Sequence, residues 1–343
     1  MVLRPVRRGR LTTQRSTGRA PVGVVDVGGS HVTAAALDPA ALGPAALDPS
    51  ARVPSARAAA PGAGLEARHP WTEHAAVVDP HAPLDVLLEQ LTAPARAVVD
   101  GLADSAPPRG WSVAMPGPFD YAAGSGSFEG VDKFASLSGV DLRGAFADRL
   151  GVAPQAVRFC NDAVAYGIGE WAAGAGRRAE RVVCLTLGTG VGSAFLQGGA
   201  EVDSGPLVPP HGEVHRLTID GRPLEQTMSS PALRDAHRER SGEDRSVEEV
   251  CALARAGDGA AAEVLEAALG ALGAALATWV DRFDAEVVVV GGSIARSWDV
   301  VAPPFRAGLT SAGVAVAVVP ALLGSSAPLV GAAVAWDGGN AAR

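Results

Sequence analysis

Two widely separated stretches of this chain share a pattern of strand, glycine turn and strand. In residues 22–37, an apolar run rich in β-branched side chains is interrupted by Gly28-Gly29-Ser30. In residues 182–196, the interruption is Gly188-Thr189-Gly190-Val191-Gly192. Each unit is typical of a tight β-hairpin. An internal repeat of this kind predicts a duplicated lobe, with a ligand site between the two copies.

The rest of the chain alternates between strand and helix patterns, which indicates an α/β fold. Helices are expected at 84–102, up to Gly174, at 261–283 and from Leu329, and strands at 111–114, 157–159, 286–290 and 314–319. The predicted organisation is a basic arm (1–20), an N-terminal lobe (21–158, plus a C-terminal helix at 329–343) and a C-terminal lobe (159–328).

Composition excludes several classes of protein. The net charge of −8 argues against general nucleic-acid binding, because a duplex is held first through neutralised phosphates. Three cysteines are too few for a disulfide framework and fit a reducing cytoplasm. The apolar segments at 267–280 and 307–335 are too short or too interrupted to span a membrane, so we predict that they are buried. The Arg-rich start has no apolar segment typical of a secretory signal.

Three glycine turns, each directly after a β-rich run, are the main chemical signal. They are Gly28-Gly29-Ser30, Gly188-Thr189-Gly190 and Gly291-Gly292-Ser293. Without a Cβ, such turns let phosphate oxygens approach backbone N–H groups. One turn alone could simply close a hairpin, but three together indicate phosphate binding. No turn ends in the Gly-Lys-Ser/Thr of a Walker loop, and the spacing does not fit the dinucleotide fingerprint.

Two aspartates stand near these turns. Asp26 ends the first strand, where a carboxylate can hold Mg²⁺ or its bound water; the alternative is a turn or cap residue. Asp162 follows Asn161 at a strand-to-helix junction. Phosphoryl transfer requires a base for the attacking hydroxyl, and Asp162 is the candidate. The alternative for Asp162 is a helix N-cap.

With these residues in place, the chain resembles the ROK family of bacterial sugar kinases and related repressors, from about residue 22 to 336. The motifs that carry the resemblance are Val24-Val25-Asp26-Val27-Gly28-Gly29-Ser30, Asn161-Asp162-Ala163, Leu187-Gly188-Thr189-Gly190-Val191-Gly192 and Val290-Gly291-Gly292-Ser293. The resemblance implies an actin-like ATPase (ribonuclease H-like) fold, whose cleft closes around ATP and a monosaccharide. It also implies that Asp162 is the catalytic base and that Asn161 binds the sugar.

Further sugar contacts follow from the same resemblance. It implies that Glu213 and Glu225 contact sugar hydroxyls. His215 lies one residue before the family's histidine position, which Arg216 occupies, and we keep His215 as a candidate contact. The family's zinc-binding cysteine cluster is missing from residues 216–250, so no structural zinc is expected.

The phosphate donor is left open between ATP and polyphosphate. Residues 188–195 and Leu207-Val208-Pro209 resemble the zinc-free, polyphosphate-using glucokinases. Val131-Asp132-Lys133 is similar to their Asn-Val-Asp-Lys segment, with Gly130 in place of the Asn. His31 stands where many family members have Lys. The adenosine-side turn at Gly291 favours ATP.

The sequence therefore predicts a cytoplasmic, Mg- and ATP-dependent kinase acting on a primary hydroxyl of a hexose such as glucose, or of a sugar-like cyclitol. The alternatives are a sugar-sensing transcriptional regulator and a catalytically inactive sugar-binding protein. The repressors carry an N-terminal DNA-binding domain, for which about 20 residues before the first strand leave no room. A homodimer is expected, with no membrane partner and no nucleic acid.

Overall fold

The computed structural model describes residues 19–42, 71–102, 106–128 and 133–338. The strands, in chain order, are β1 (Val22–Val27), β2 (His31–Leu37), β3 (Glu73–Val77), β4 (Trp111–Met115), β5 (Phe119–Asp120), β6 (Ser125–Gly126), β7 (Val157–Asn161), β8 (Arg181–Leu187), β9 (Val191–Gln197), β10 (Ala200–Glu201), β11 (Thr218–Ile219), β12 (Arg222–Pro223), β13 (Val287–Gly291) and β14 (Ala317–Pro320). The helices are α1 (Leu84–Gly101), α2 (Leu142–Leu150), α3 (Asp162–Ala173), α4 (Ser230–Ser241), α5 (Val247–Arg255), α6 (Gly259–Phe283), α7 (Trp298–Ser311) and α8 (Ala327–Gly338).

Three predicted segments lie largely outside the described residues. They are the basic arm, the Ala/Pro/Gly-rich insertion at 38–64 from residue 43 onward, and Gly130-Val131-Asp132.

Two five-stranded sheets of matching topology form the framework. The first has the order β3-β2-β1-β4-β7 and the second the order β10-β9-β8-β13-β14. In each sheet three successive strands pair antiparallel, and two later strands add in parallel on the other side. The repeat in the sequence is therefore a repeat of the sheet.

Side chains along each strand alternate between the two faces of the sheet, and helices cover both faces. In β1, Val25 and Val27 pack with α1, while Val22 and Val24 pack with α8. In β8, alternate residues pack against α6 on one face and α3 on the other. The central strands β4 and β13 are buried along their whole length, as expected for parallel strands covered on both faces.

Helix α6 is long and apolar enough to cross a membrane by length and composition alone, with a mean hydropathy of 1.5. Half of that apolar window is buried inside the fold. Leu269, Leu272 and Leu276 share one core with Val183 and Leu185 of β8. We therefore assign α6 to the core of the second sheet, as the sequence predicted.

Helices α3 and α8 approach each other backbone to backbone. A methyl group added at Gly331 would lie 1.7 Å from the Ala165 carbonyl oxygen, so the crossing requires glycine. Glu170 of α3 also accepts backbone N–H groups from Ala175 and Leu323, at 2.8 and 2.7 Å. These contacts fix α3, which begins at Asp162, relative to the segment that leads into α8.

Candidate active site

A cleft of about 1780 Å³ brings together residues from both sheets. The predicted site residues that line it are Gly29, Asn161, Asp162, Gly188, Thr189, Gly190, Glu213, His215, Glu225 and Gly292. The predicted residues that are not part of its wall are Asp26, Gly28, Ser30, Gly291 and Ser293. The candidate base and parts of all three glycine turns thus face one cavity.

Asp162 lies at the junction of β7 and α3. The helix cap is Asn161, whose Oδ1 accepts the Val164 N–H at 3.0 Å. Asp162 is the first residue of the helix, and its Oδ1 accepts the Ala163 N–H at 2.9 Å. The cap role that was the alternative for Asp162 is thus taken by its neighbour, and the Asp162 carboxylate is left on the cleft wall.

Asp26 and Asp162 are electrostatically coupled. Burial and, to a lesser extent, the charge of Asp162 raise the pKa of Asp26 to about 7. Burial also raises the pKa of Asp162, while the Ala163 N–H lowers it. Two carboxylates in one buried environment disfavour each other's ionisation. The pair therefore has a high affinity for a proton or a cation.

The second glycine turn is tighter than the sequence predicted. Strand β9 begins at Val191, which pairs with Leu187, so the turn is only Gly188-Thr189-Gly190. Glu225 Oε1 accepts the Val191 N–H at 2.8 Å. A methyl group at Gly190 would lie 2.6 Å from that same oxygen. Glu225, predicted as a sugar contact, thus braces the turn in this structure.

The turn after β13 packs directly against the end of β8. Gly292 has a φ of +87°, and a methyl group there would lie 2.3 Å from the Leu187 carbonyl oxygen. Tyr166 of α3 lies against Gly291, because a methyl group there would be 2.3 Å from the Tyr166 hydroxyl. The turn after β13, the turn after β8 and α3 are therefore one packed unit.

Replacing Gly292 with Ala is expected to lower the free energy of unfolding by about 3 kcal/mol, because the left-handed backbone and the clash with Leu187 act together. Gly313→Ala is the matched control. Gly313 has a φ of +84° with no atom within 4 Å of the added methyl, so we expect a loss of about 1 kcal/mol. Urea unfolding of both variants measures the difference. Equal losses would contradict the close approach.

The segment 212–216, which contains the predicted sugar contacts Glu213 and His215, is held to β9 by Ser193. The Ser193 hydroxyl donates to the Gly212 carbonyl at 2.7 Å and accepts the Val214 N–H at 3.0 Å. Within this segment Arg216 forms an ion pair with Glu213. His215 Nε2 lies 3.8 Å from the same carboxylate. Arg216 thus stands where the resemblance places a histidine, and it contacts Glu213, a residue predicted to bind the sugar.

Tyr121 is a cleft residue that the sequence analysis missed. Its hydroxyl accepts a hydrogen bond from Asn161 Nδ2 at 2.9 Å and donates to the Met115 carbonyl at 3.1 Å. Burial raises its pKa, so the hydroxyl stays neutral. Tyr121 thereby orients the Asn161 amide, and its only sequence signal was its place just after Pro116-Gly117-Pro118.

Other missed residues form the cleft wall as well. They include Lys133, Ser193, Glu201, Asp203 and His211. Burial and the charges of Asp203 and Glu213 raise the pKa of Glu201 to about 7. Among the residues that the structure describes, no group of three or more His, Cys, Asp or Glu could hold a metal alone.

Two sheets of one topology, facing a shared cleft with glycine turns from both, define the actin-like ATPase fold. The predicted fold class is confirmed. The chain belongs to the ROK family, whose family model matches residues 81–338.

Three relatives illustrate the range of this family. The glucokinase of Thermotoga maritima is 30% identical over 218 residues, which is 57% of this chain and 67% of that protein. The ROK family glucokinase of Streptomyces griseus, solved with glucose and AMPPNP, superposes with a TM-score of 0.65 at 20% identity, covering 92% and 98% of the two chains. A ROK family transcriptional regulator, a homologue of the E. coli MLC protein, superposes with a TM-score of 0.69 at 18% identity, covering 92% and 77%.

Proposed function

We propose that this protein is an ATP-dependent kinase that phosphorylates a primary hydroxyl of a hexose, with glucose as the first candidate. The observation that carries the proposal is the shared cleft, on which the Asp162 carboxylate, the glycine turns of both sheets and four predicted sugar contacts meet. Such a cavity suits a reaction that needs a positioned donor, a positioned acceptor and a base. The glucokinase relatives support a sugar as acceptor. The proposed location is the cytoplasm.

The proposed reaction is a direct phosphoryl transfer. The acceptor hydroxyl loses its proton to Asp162, its oxygen bonds to the γ-phosphorus, and the bond from that phosphorus to the bridging oxygen of ADP breaks. The raised pKa of Asp162 suits it to accept this proton. The N–H groups of the turns at Gly29 and Gly190 would hold the phosphate oxygens.

Asp26 fits the role of a Mg²⁺ ligand. Its carboxylate and that of Asp162 disfavour each other's ionisation, a conflict that a divalent cation relieves. Mg²⁺ is usually held by one or two carboxylates, waters and substrate phosphates, so a single protein ligand is sufficient. When bound, the ion would neutralise charge on the donor phosphates.

Asn161, Glu213, His215 and Glu225 would orient the acceptor. Selectivity for a polyol arises when buried polar groups are paired by the correct substrate and left unpaired by a wrong one. Asn161 retains a second amide N–H beside the one given to Tyr121. Glu225 reaches the second turn from the same cleft wall, and would link acceptor binding to the donor site.

A screen of acceptors tests the proposal. Purified protein would be mixed with Mg-ATP and with a panel of hexoses, N-acetylhexosamines and cyclitols, and ADP release would be followed. We expect release that depends on a hexose bearing a free CH₂OH group. If ADP release were absent with every acceptor while a sugar still bound, the inactive sugar-binding alternative would replace the kinase.

The regulator remains the second candidate, since the fold of a ROK transcriptional regulator superposes on this chain. A duplex-binding titration at physiological salt separates the two. If the protein is a kinase, we expect no binding to the duplex that depends on a sugar.

Replacing Glu213 with Gln is expected to raise the KM for the sugar about 10-fold to 100-fold, since one charged acceptor of hydroxyl hydrogen bonds is lost. The KM for ATP should stay unchanged. Glu243→Gln, at an exposed position paired with Arg245, is the control and should alter neither constant. If Glu213→Gln changed the KM values for sugar and ATP equally, Glu213 would not be a specific sugar contact.

A further inference from the structure

Lys133 is an unusual residue in this chain. Of the 29 lysine and arginine residues, it is the only lysine. It lies on the wall of the cleft that also contains Asp162. A lysine carries a compact charge that binds as a point cation, whereas arginine presents a planar fork. The one site with a different cation is therefore inside the candidate active site.

The end of the Lys133 side chain lies along the first glycine turn. A methyl group added at Gly29 would be 2.7 Å from Lys133 Nζ, 3.5 Å from Cε and 3.6 Å from Cδ. Only the missing Cβ of Gly29 leaves room for the ammonium there. The turn and the lysine thus form one surface.

The backbone after Lys133 is held in a rare conformation. Phe134 has a φ of +62°, which is uncommon for a bulky residue and carries strain. Its buried ring packs edge-on against Phe128 at 5.9 Å, and its N–H donates to the Pro80 carbonyl at 2.9 Å. This packing and hydrogen bond therefore stabilise a strained backbone, which directs the preceding lysine into the cleft.

The segment after β3 ties this loop to the turn. The Val78 N–H donates to the Ser30 carbonyl at 2.8 Å, and the Ser136 hydroxyl donates to the Ala82 carbonyl at 2.9 Å. The glycine turn and the loop that carries Lys133 are thus fixed to the same short segment. An ammonium placed in this way is preorganised, which makes an electrostatic contact most effective.

Other groups near the turn do not supply the same charge. His31 Nδ1 is 2.9 Å from the Ser30 hydroxyl, and its ring is exposed. Arg216, across the cleft, is paired with Glu213. Within the described ranges no carboxylate forms an ion pair with Lys133. Its charge is therefore available to a ligand in the cleft.

We propose that Lys133 Nζ binds the terminal phosphoryl group of the phosphate donor at the first glycine turn. The inference rests on the proposed kinase function. The ligand chemistry is the end of a phosphate chain, which ATP and inorganic polyphosphate share. Lys133 neutralises charge on the oxygens of the phosphoryl group while it passes to the acceptor.

Kinetics of two variants provide the first test. We expect Lys133→Met to lower kcat about 100-fold with little change in the KM for the sugar, and Lys133→Arg to recover part of the loss because it restores charge without the point geometry. Both would be measured with ATP and with polyphosphate. A loss with either donor supports the proposal and identifies the donor that the lysine serves. Unchanged turnover with every donor that the wild type uses overturns it.

A binding measurement separates this proposal from the kinase proposal. Reductive methylation with ¹³C-formaldehyde labels only Lys133 and the terminal amine, and Lys133→Arg assigns the two NMR signals. We expect Mg-AMPPNP or tripolyphosphate to shift the Lys133 signal and leave the other in place. A shift in a protein that turns over no acceptor would keep the phosphate contact and reject the kinase. An unshifted signal, with bound AMPPNP detected by calorimetry, would reject the contact.

Discussion

Replacing Asp162 with Asn is expected to lower kcat about 10³- to 10⁴-fold while the KM values for ATP and sugar stay close to those of the wild type. The amide cannot accept the hydroxyl proton, but it has nearly the same shape. The Ala163 N–H can still donate to the amide oxygen, so α3 should keep its first turn. The loss therefore belongs to the chemical step and not to binding.

Calorimetry with AMPPNP and the sugar provides the control for this variant, and both ligands should bind as to the wild type. Asp299→Asn is the matched carboxylate substitution. Asp299 lies in the first turn of α7, is exposed, pairs with Arg255 and is not part of the cleft wall. It should leave kcat unchanged. Near-wild-type turnover of Asp162→Asn would remove Asp162 as the base.

Replacing Asp26 with Asn should lower the activity of the protein and raise its stability. We expect turnover to fall about 10²- to 10³-fold, because the ligand that holds Mg²⁺ at the donor phosphates is weakened. We also expect the nucleotide-free protein to be more stable than the wild type at pH 8, by about 2 to 4 kcal/mol. Activity and stability thus conflict at this residue.

The sign of the stability effect follows from the raised pKa. The folded protein favours the neutral Asp26 carboxyl, whose pKa rises from 3.8 to about 7 through burial and the charge of Asp162. The stability that this neutral form provides is complete below pH 3.8 and is lost as the pH rises through about 7. Asparagine does not ionise, so the variant keeps what the wild type loses.

Urea unfolding of wild type and Asp26→Asn across pH 4 to pH 8 measures this effect. The gap between them should be small at pH 4 and should widen up to about pH 7. Asp299→Asn should show no such gain, because Arg255 lowers the pKa of Asp299. A gap that does not change with pH would mean that Asp26 is not held neutral by its surroundings.

Local patterns were sufficient to predict the framework. The β-branched runs and the glycine breaks gave both hairpins, and β1 and β2 match the expected runs to within a residue. The predicted second turn was two residues too long, because Val191 and Gly192 already pair with β8. Periodicity does not reveal where a ladder begins. The proposed lobe boundaries at 21–158 and 159–328 stay a prediction.

The contacts within the cleft were less accessible from sequence, because they join residues far apart in the chain. Glu225 could be placed in the sugar region by resemblance, but not against the Val191 N–H. Tyr121 reaches Asn161 only through the fold. Lys133 did carry a signal, since it is the only lysine in the chain, yet its contact with Gly29 depends on the backbone at Phe134.

The central claim is that the cleft transfers a phosphoryl group from a nucleotide to a sugar hydroxyl with Asp162 as the base. Mass spectrometry and ³¹P NMR of one reaction containing protein, Mg-ATP and glucose test it most directly. We predict equal amounts of ADP and a hexose monophosphate, with both formed about 10³- to 10⁴-fold more slowly by Asp162→Asn. ADP formed together with free phosphate, at a rate that does not depend on glucose, would contradict the claim.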